Sequence, residues 1–380
     1  MLAQAITIYQ DSPRATHWLG RHLERFEEPV RLAVVGPPRS GTTTLVQAIG
    51  DSPGELTVVD APAPAPGTIE GTLSEADAVL HLVRHPHHAE LDFLHTVQDH
   101  PIARAAAVNA IIVLSRADEL GGGRVDGLIS ARRLARRYRR EPQARGLCQD
   151  VVPVAGLLAR AARTLTQADV DAFVELARVP RAQLEAHLLS VDRFAALSAG
   201  HAELLARFGM FGIRVTLPIV RRDVRTVEDL FAQLVPRSGL AELLESIEKN
   251  FTRRRSVLKA RSALLGLEVV LRMEPRPAAA ELASQLEQTL ASAHDFRELR
   301  LLAAIHTGRV KLPEDLRAEA VRLTGGQGTG LAERLSEVDL RGAIQRWRHY
   351  AENPALGSAE RRAATVVLRS CEAIASGTLR

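Results

Sequence analysis

Short apolar runs punctuate the first half of the chain, and helical periodicity replaces them in the second. Arg31–Val35 (RLAVV) flows into Gly36-Pro37-Pro38, and Leu56–Val59 (LTVV) ends in Asp60. Ala78–Val83 (AVLHLV) ends before Arg84-His85-Pro86, and Ala110–Leu114 (AIIVL) ends in Ser115-Arg116-Ala117-Asp118. A fifth run, Val151–Val154, ends in Ala155-Gly156. Continuous rather than alternating apolar runs predict strands buried on both faces. With helical patterns such as Thr43–Ile49 between them, they predict a parallel sheet with helices on both sides. Residues 1–29 place Trp18, Leu19, Leu23 and Phe26 at helical spacing and stop at Pro29, an N-terminal amphipathic helix expected to pack on the helical region. From about Thr166 strand-like runs almost vanish. Helical patterns then cover Gln167–Leu176, Arg181–Leu189, Ala202–Phe208, Thr226–Val235 and the long stretch Leu240–Leu271. Pro275-Arg276-Pro277 reads as a linker and Thr324–Gly330 (TGGQGTG) as a flexible loop; no strand precedes those glycines, so they do not form a phosphate loop.

Composition narrows the class. The chain of 380 residues is 46% apolar and 25% charged, the balance of a globular protein of two or three domains. No stretch approaches the roughly 18 apolar residues needed to span a bilayer, and the first ten residues lack a secretory pattern, so a cytoplasmic location is expected. The net charge of +4 is too small for a dedicated nucleic-acid binder. Two cysteines, Cys148 and Cys371, supply neither a disulfide framework nor a metal quartet and read as buried thiols.

The candidate chemistry lies at the strand ends. Gly36-Pro37-Pro38-Arg39-Ser40-Gly41-Thr42-Thr43 has the spacing G-x-x-x-x-G-x-[ST] between a strand and a helix, the context of a phosphate-binding P-loop. Its glycines let backbone N–H groups turn inward around an anion at a helix N-terminus. Thr43 takes the hydroxyl position that would hold Mg²⁺, and Asp60 takes that of the aspartate on the neighbouring strand. The lysine position, however, is Thr42. A lysine there makes a charge-assisted hydrogen bond worth ~1.5–3 kcal/mol to the outer phosphates; Arg39 is the nearest cation in the loop. Only Gly50–Glu55 separates the helix from the next strand, a normal connection with no room for a switch segment. Ala63 stands where an Asp-x-x-Gly motif has glycine, within Ala61–Pro66 (APAPAP), which favours stiff polyproline II geometry. All three departures fall on the γ-phosphate end, so hydrolysis is expected to be lost. At the base end, Ser115-Arg116-Ala117-Asp118 follows a strand as a guanine-reading [NT]-K-x-D motif does. Asp118 would accept from the guanine edge, and the Arg116 stem would lie over the ring.

From Ser115 onward the strings SRADELGGGRVDGLISA, LCQDVVPVAGLLARAARTL, LLSVDRF, LLARFGMFGIR and SGLAELLESIEKNFTRRRSVLKARSAL resemble the isoniazid-inducible dynamin-like proteins of actinobacteria, the IniC type. The resemblance covers most of residues 108–330. It implies an α/β P-loop NTPase (dynamin-like GTPase) domain joined to a mainly α-helical region, with GTP or GDP and Mg²⁺ as ligands. It further implies a sister dynamin-like GTPase or a second copy as partner, with cell-envelope or membrane maintenance as the task and peripheral contact at the inner face of the membrane. This chain departs from the family at Thr42, at Ala63 and at Ala155-Gly156, where Ser-Gly is usual, and it lacks the switch region. The expected organisation is an N-terminal helix (1–29), a degenerate P-loop domain (30–165), its helical extension (166–273) and a C-terminal bundle (278–380). The nucleotide-binding set is Gly36, Arg39, Ser40, Gly41, Thr42, Thr43, Asp60, Ser115, Arg116 and Asp118, with no catalytic residue. One alternative is an active GTPase completed by a dimer mate. Another rests on Pro38–Thr43 (PRSGTT) and Val83-Arg84-His85-Pro86, which also resemble the two phosphate-binding elements of bacterial sulfotransferases. Asp92, where such enzymes want Ser, argues against that reading.

Two basic stretches and a histidine cluster remain. Arg132, Arg133, Arg136, Arg137 and Arg140 sit opposite an apolar stripe of Leu128, Ala131, Ala135 and Tyr138. They read as a solvated face or a surface for acidic lipid, as do Arg253-Arg254-Arg255, Lys259 and Arg261. His81, His85, His87, His88 and His95 lie near one strand end; a metal site would need them to converge with thiolate or carboxylate support, and loop histidines at this density read as exposed.

Overall fold

The computed structural model describes residues 1–51, 54–61, 76–84, 91, 94, 109–120, 123–141, 147–306 and 308–377. Five parallel strands, β1 (Val30–Val35), β2 (Leu56–Asp60), β3 (Ala78–Val83), β4 (Ala110–Leu114) and β5 (Asp150–Pro153), form one sheet in the order β2-β1-β3-β4-β5. Each lies within a residue of its apolar run. Alternate side chains serve opposite faces, as the pleat requires. Leu32, Val34, Leu80, Leu82, Ile111 and Val113 face Leu45 and Ala48 of α3 (Thr42–Ile49) and the helix Leu240–Asn250. Ala33, Val35, Val79, Ile112 and Leu114 face Ala135 and Tyr138 of α4 (Gly127–Tyr138). Each buried Leu, Val or Ile contributes roughly 1.5–3 kcal/mol, which explains how strands of four to six residues persist.

The N-terminal segment is two helices rather than one, α1 (Leu2–Ile8) and α2 (Pro13–Glu24). Ser12 makes the break: its hydroxyl accepts from the Ala15 amide at 3.2 Å, and Pro13 follows at the first helical position. Both helices pack on the helix Arg255–Met273, with Tyr9 and Leu19 buried against Leu267 and Val270. Leu23 and Phe26, predicted to share the inward stripe, are 46% and 37% exposed; Phe26 lies past the end of α2 at Glu24. The long helical stretch Leu240–Leu271 is likewise divided. Leu240–Asn250 stops where Phe251 leaves helical geometry (φ −122°), and a 3₁₀ turn, Thr252–Arg254, leads into Arg255–Met273.

Burial overturns the reading of the second basic stretch. Arg254, Lys259 and Arg261 are interior residues, 2–3% exposed, and present no face to solvent or lipid. Asp77, fully buried just before β3, accepts from Lys259 at 2.7 Å, from Arg25 at 3.1 Å and from the Arg31 amide at 2.9 Å. Arg261 also lies in its field. Thr324–Gly330 is a pinned turn rather than a flexible loop. Arg254 donates to the carbonyls of Thr324 (3.2 Å) and Gly325 (2.8 Å), and Arg253 to that of Gln327 (3.1 Å). Arg334 Nε donates to the Thr329 carbonyl at 3.1 Å. Irregular backbone inside a protein needs donors for its carbonyls, and arginines supply them here. Pro275–Pro277 is braced in the same way, since Arg276 pairs with Asp11 and lies over the Tyr9 ring at 4.5 Å. Both cysteines are buried, and burial pushes their thiols up to about 12.

Candidate functional site

In a sheet of this order the connections run in opposite directions on either side of the β1–β3 boundary, and ligands bind in the crevice outside the carboxyl ends of the strands there. The loop Gly36–Gly41 leaves β1 at that boundary. A cleft of ≈ 180 Å³ opens beside it, lined by Ser40, Gly41, Ser115, Arg116, Asp118 and Gly156. The ends of β1, β3, β4 and β5 therefore supply its wall.

The loop is shaped by its backbone. The Ser40 amide donates to the Pro37 carbonyl at 3.1 Å, and Arg39 adopts φ +64°, a region a β-carbon resists. Gly41 (φ +95°) begins α3 and passes its carbonyl to the Leu45 amide at 3.0 Å. Gly36 lies so close to Leu82 that a β-carbon would stand 3.0 Å from the Leu82 carbonyl oxygen and 2.6 Å from Ser40 Oγ. Glycine is required there for close approach. Ser40 itself is 2% exposed, and its hydroxyl has no hydrogen-bond partner among the described residues. Thr42 opens α3, and the exposed Thr43 donates its hydroxyl to Asp60 Oδ2 at 2.6 Å. Thr43, expected to hold Mg²⁺, and Asp60, expected in the nucleotide-binding set, thus meet.

The second wall comes from the turn after β4. The Ser115 hydroxyl donates to the Val83 carbonyl at 3.3 Å, and the Ala117 amide to that of Val154 at 3.2 Å, which ties β3, β4 and β5 together at their ends. Arg116, also at positive φ (+52°), reaches across: Nη2 donates to the Arg39 carbonyl at 3.0 Å and Nη1 to Glu119 at 2.7 Å. Its head is therefore anchored to the phosphate-type loop, a contact the sequence reading did not anticipate. Asp118 is partly buried on the cleft wall. Burial raises its carboxyl above the usual range and Glu119 adds to this, against the lowering effects of its own amide and Arg116. Arg84, the residue after β3, also donates to the Arg39 carbonyl, at 3.3 Å. Sequence reasoning placed Arg84 only in the rival sulfotransferase pattern; the available signal was a cation immediately past a central strand. The Arg39 guanidinium, proposed as the loop's cation, stands in solvent.

His81 is buried within β3, and among the described residues no group of three His, Cys, Asp or Glu is arranged to hold a metal ion. His85, His87, His88, His95, Ala63 and Asp92 lie outside the described residues. No described helix is long and apolar enough to cross a membrane.

No family model and no solved structure matches the chain. Two relatives do, both called isoniazid-induced protein IniC, from Mycobacterium tuberculosis strains CDC 1551 / Oshkosh and ATCC 25618 / H37Rv. Each is 36% identical over 314 residues, a match covering 78% of this chain. The chain spans 64% of the length of each relative.

Proposed function

The chain belongs to the IniC-type family over the 314 residues it shares with those relatives, and from that premise we propose a dynamin-like, guanine-nucleotide-binding protein that has lost hydrolysis. The observation that carries this reading is the convergence of the Ser40-Gly41 loop and the Ser115–Asp118 turn on one cleft, locked by the Arg116–Arg39 contact. The loop offers the N-terminus of α3 to phosphate. Asp118, poorly solvated, gains from the paired N–H donors of a guanine edge, because a desolvated carboxylate is stabilised by hydrogen bonds. Thr43 and Asp60 fit Mg²⁺, which takes one or two protein oxygens and completes its shell with water and phosphate. Bound there, the ion would neutralise phosphate oxygens.

The case against hydrolysis rests on the γ-phosphate end. Thr42 brings no charge, and β2 pairs directly with β1 after the short Gly50–Glu55 connection, so no switch strand intervenes. The protein is best read as the non-hydrolysing companion of an intact dynamin-like GTPase, or of a second copy, at the inner face of the membrane.

Calorimetric titration with GDP tests the reading. The unmodified chain should bind and Asp118→Asn should not; equal affinities would remove guanine from this cleft. Stabilisation against heat by adenosine 3′,5′-bisphosphate alone would favour the sulfotransferase-like alternative. Multiple-turnover release of phosphate from GTP by the isolated chain would show hydrolysis retained.

A further inference from the structure

Resting on the nucleotide reading of this cleft, we infer that Arg84, at the end of β3, acts with Arg116 as a guanidinium clamp on a bound diphosphate, in place of the cation missing at position 42. Nothing in the P-loop pattern assigns Arg84. It arises at the strand adjacent to β1, at the boundary where a doubly wound sheet places ligands, and it follows β3 directly. Its Nη2 and that of Arg116 converge on one acceptor, the Arg39 carbonyl, at 3.3 and 3.0 Å. Both cationic heads are therefore held against the loop that would cradle phosphate. A guanidinium carries five N–H donors in a fixed fork, so holding a carbonyl does not preclude holding an anion, and the fork suits phosphate oxygens.

Two independent features mark the loop as built for a ligand. The Ser40 hydroxyl lines the cleft, is 2% exposed and has no partner among the described residues, although buried polar groups in folded proteins are nearly always paired. Arg39 and Arg116, which meet here, are two of the four non-glycine residues at positive φ among those described. Backbone strain of this kind persists where surrounding structure enforces it, and it collects at ligand clamps. Among the described residues, Glu119 pairs with Arg116, Asp60 accepts from the Thr43 hydroxyl, and Asp118 belongs to the turn after β4, the base end of the site. The clamp would come from strand ends rather than from the loop itself.

Calorimetry on the full chain with GDP, guanosine and inorganic pyrophosphate separates the parts. Arg84→Ala should weaken GDP and pyrophosphate roughly 10- to 100-fold, the loss of one charge-assisted contact, and leave guanosine unchanged. Arg84→Lys should recover part of the loss, with an unaltered melting temperature in both variants showing that the fold is intact. Equal pyrophosphate affinity in the unmodified chain and Arg84→Ala, or no pyrophosphate binding by the unmodified chain, overturns the clamp. Asp118→Asn reports on the base alone. If it leaves GDP affinity untouched while Arg84→Ala abolishes pyrophosphate binding, the guanine assignment fails and the clamp stands.

Discussion

Asp77 illustrates what a single buried charge asks of its surroundings. It is fully buried, and Lys259, Arg25 and the Arg31 amide satisfy it from three separate elements. Exchanging its carboxylate for an amide would leave interior cations without their counter-ion, and breaking such a pair costs ~3–5 kcal/mol. Asp77→Asn should therefore lower the urea midpoint by that equivalent; a change below ~1 kcal/mol would show the cations reaching water instead. None of this was legible in the sequence, because charge identity says nothing of depth. Lys259 and Arg261 belong to a run that reads as a basic surface and are interior. By contrast, the placement of Gly36, Gly41, Ser115 and Asp118 beside strand ends was legible, because the chain has little freedom there. Arg84 escaped because a loop contact between two strand ends has no one-dimensional period.

The strands were readable to within a residue, since a run apolar on every position has few alternatives to a doubly covered sheet. Helices were readable as helices but not in extent. Their periodicity carries on through Phe251, where tertiary packing rather than local preference ends the turn. Gly239 shows how such a joint constrains its neighbours. It sits at φ +82° between the helices Val227–Ser238 and Leu240–Asn250, where a β-carbon would stand 2.1 Å from the Pro153 carbonyl oxygen. Backbone on both sides leaves nothing to rotate away. Gly239→Ala should cost ~2–4 kcal/mol, read as a lower melting temperature. It should also weaken GDP, because Pro153 leads into Val154 and Gly156, which line the cleft. An unchanged melting temperature would mean that the joint opens freely.

Across the whole molecule, helices distant in sequence are tied by polar knots inside apolar clusters. Glu298 accepts from Arg334 through both oxygens, at 2.7 and 3.0 Å, and from the Ser370 hydroxyl at 2.7 Å. Another such point is His22, buried edge-on to Trp18 and pressed against Gly266. Burial, and then Arg25, hold it at about 4 rather than its ordinary 6.5. An unfolded chain takes up that proton near 6.5 while the folded one resists until about 4, so stability is full above 6.5 and falls as pH drops between the two. With about 1.4 kcal/mol per pKa unit, the loss is on the order of 3–4 kcal/mol. Urea midpoints should decline across that window and do so less in His22→Gln; parallel pH profiles would point to other groups. The arrangement around Asp77 also bears on synthesis. A ribosome delivers Arg25, Arg31 and the acid early and Lys259 far later, so the nascent sheet emerges with its inner charge half neutralised. The Lys259 contact can form only once the helix carrying it has left the exit tunnel. The inner charge of the α/β half is thus fully matched only after its helical half has been made.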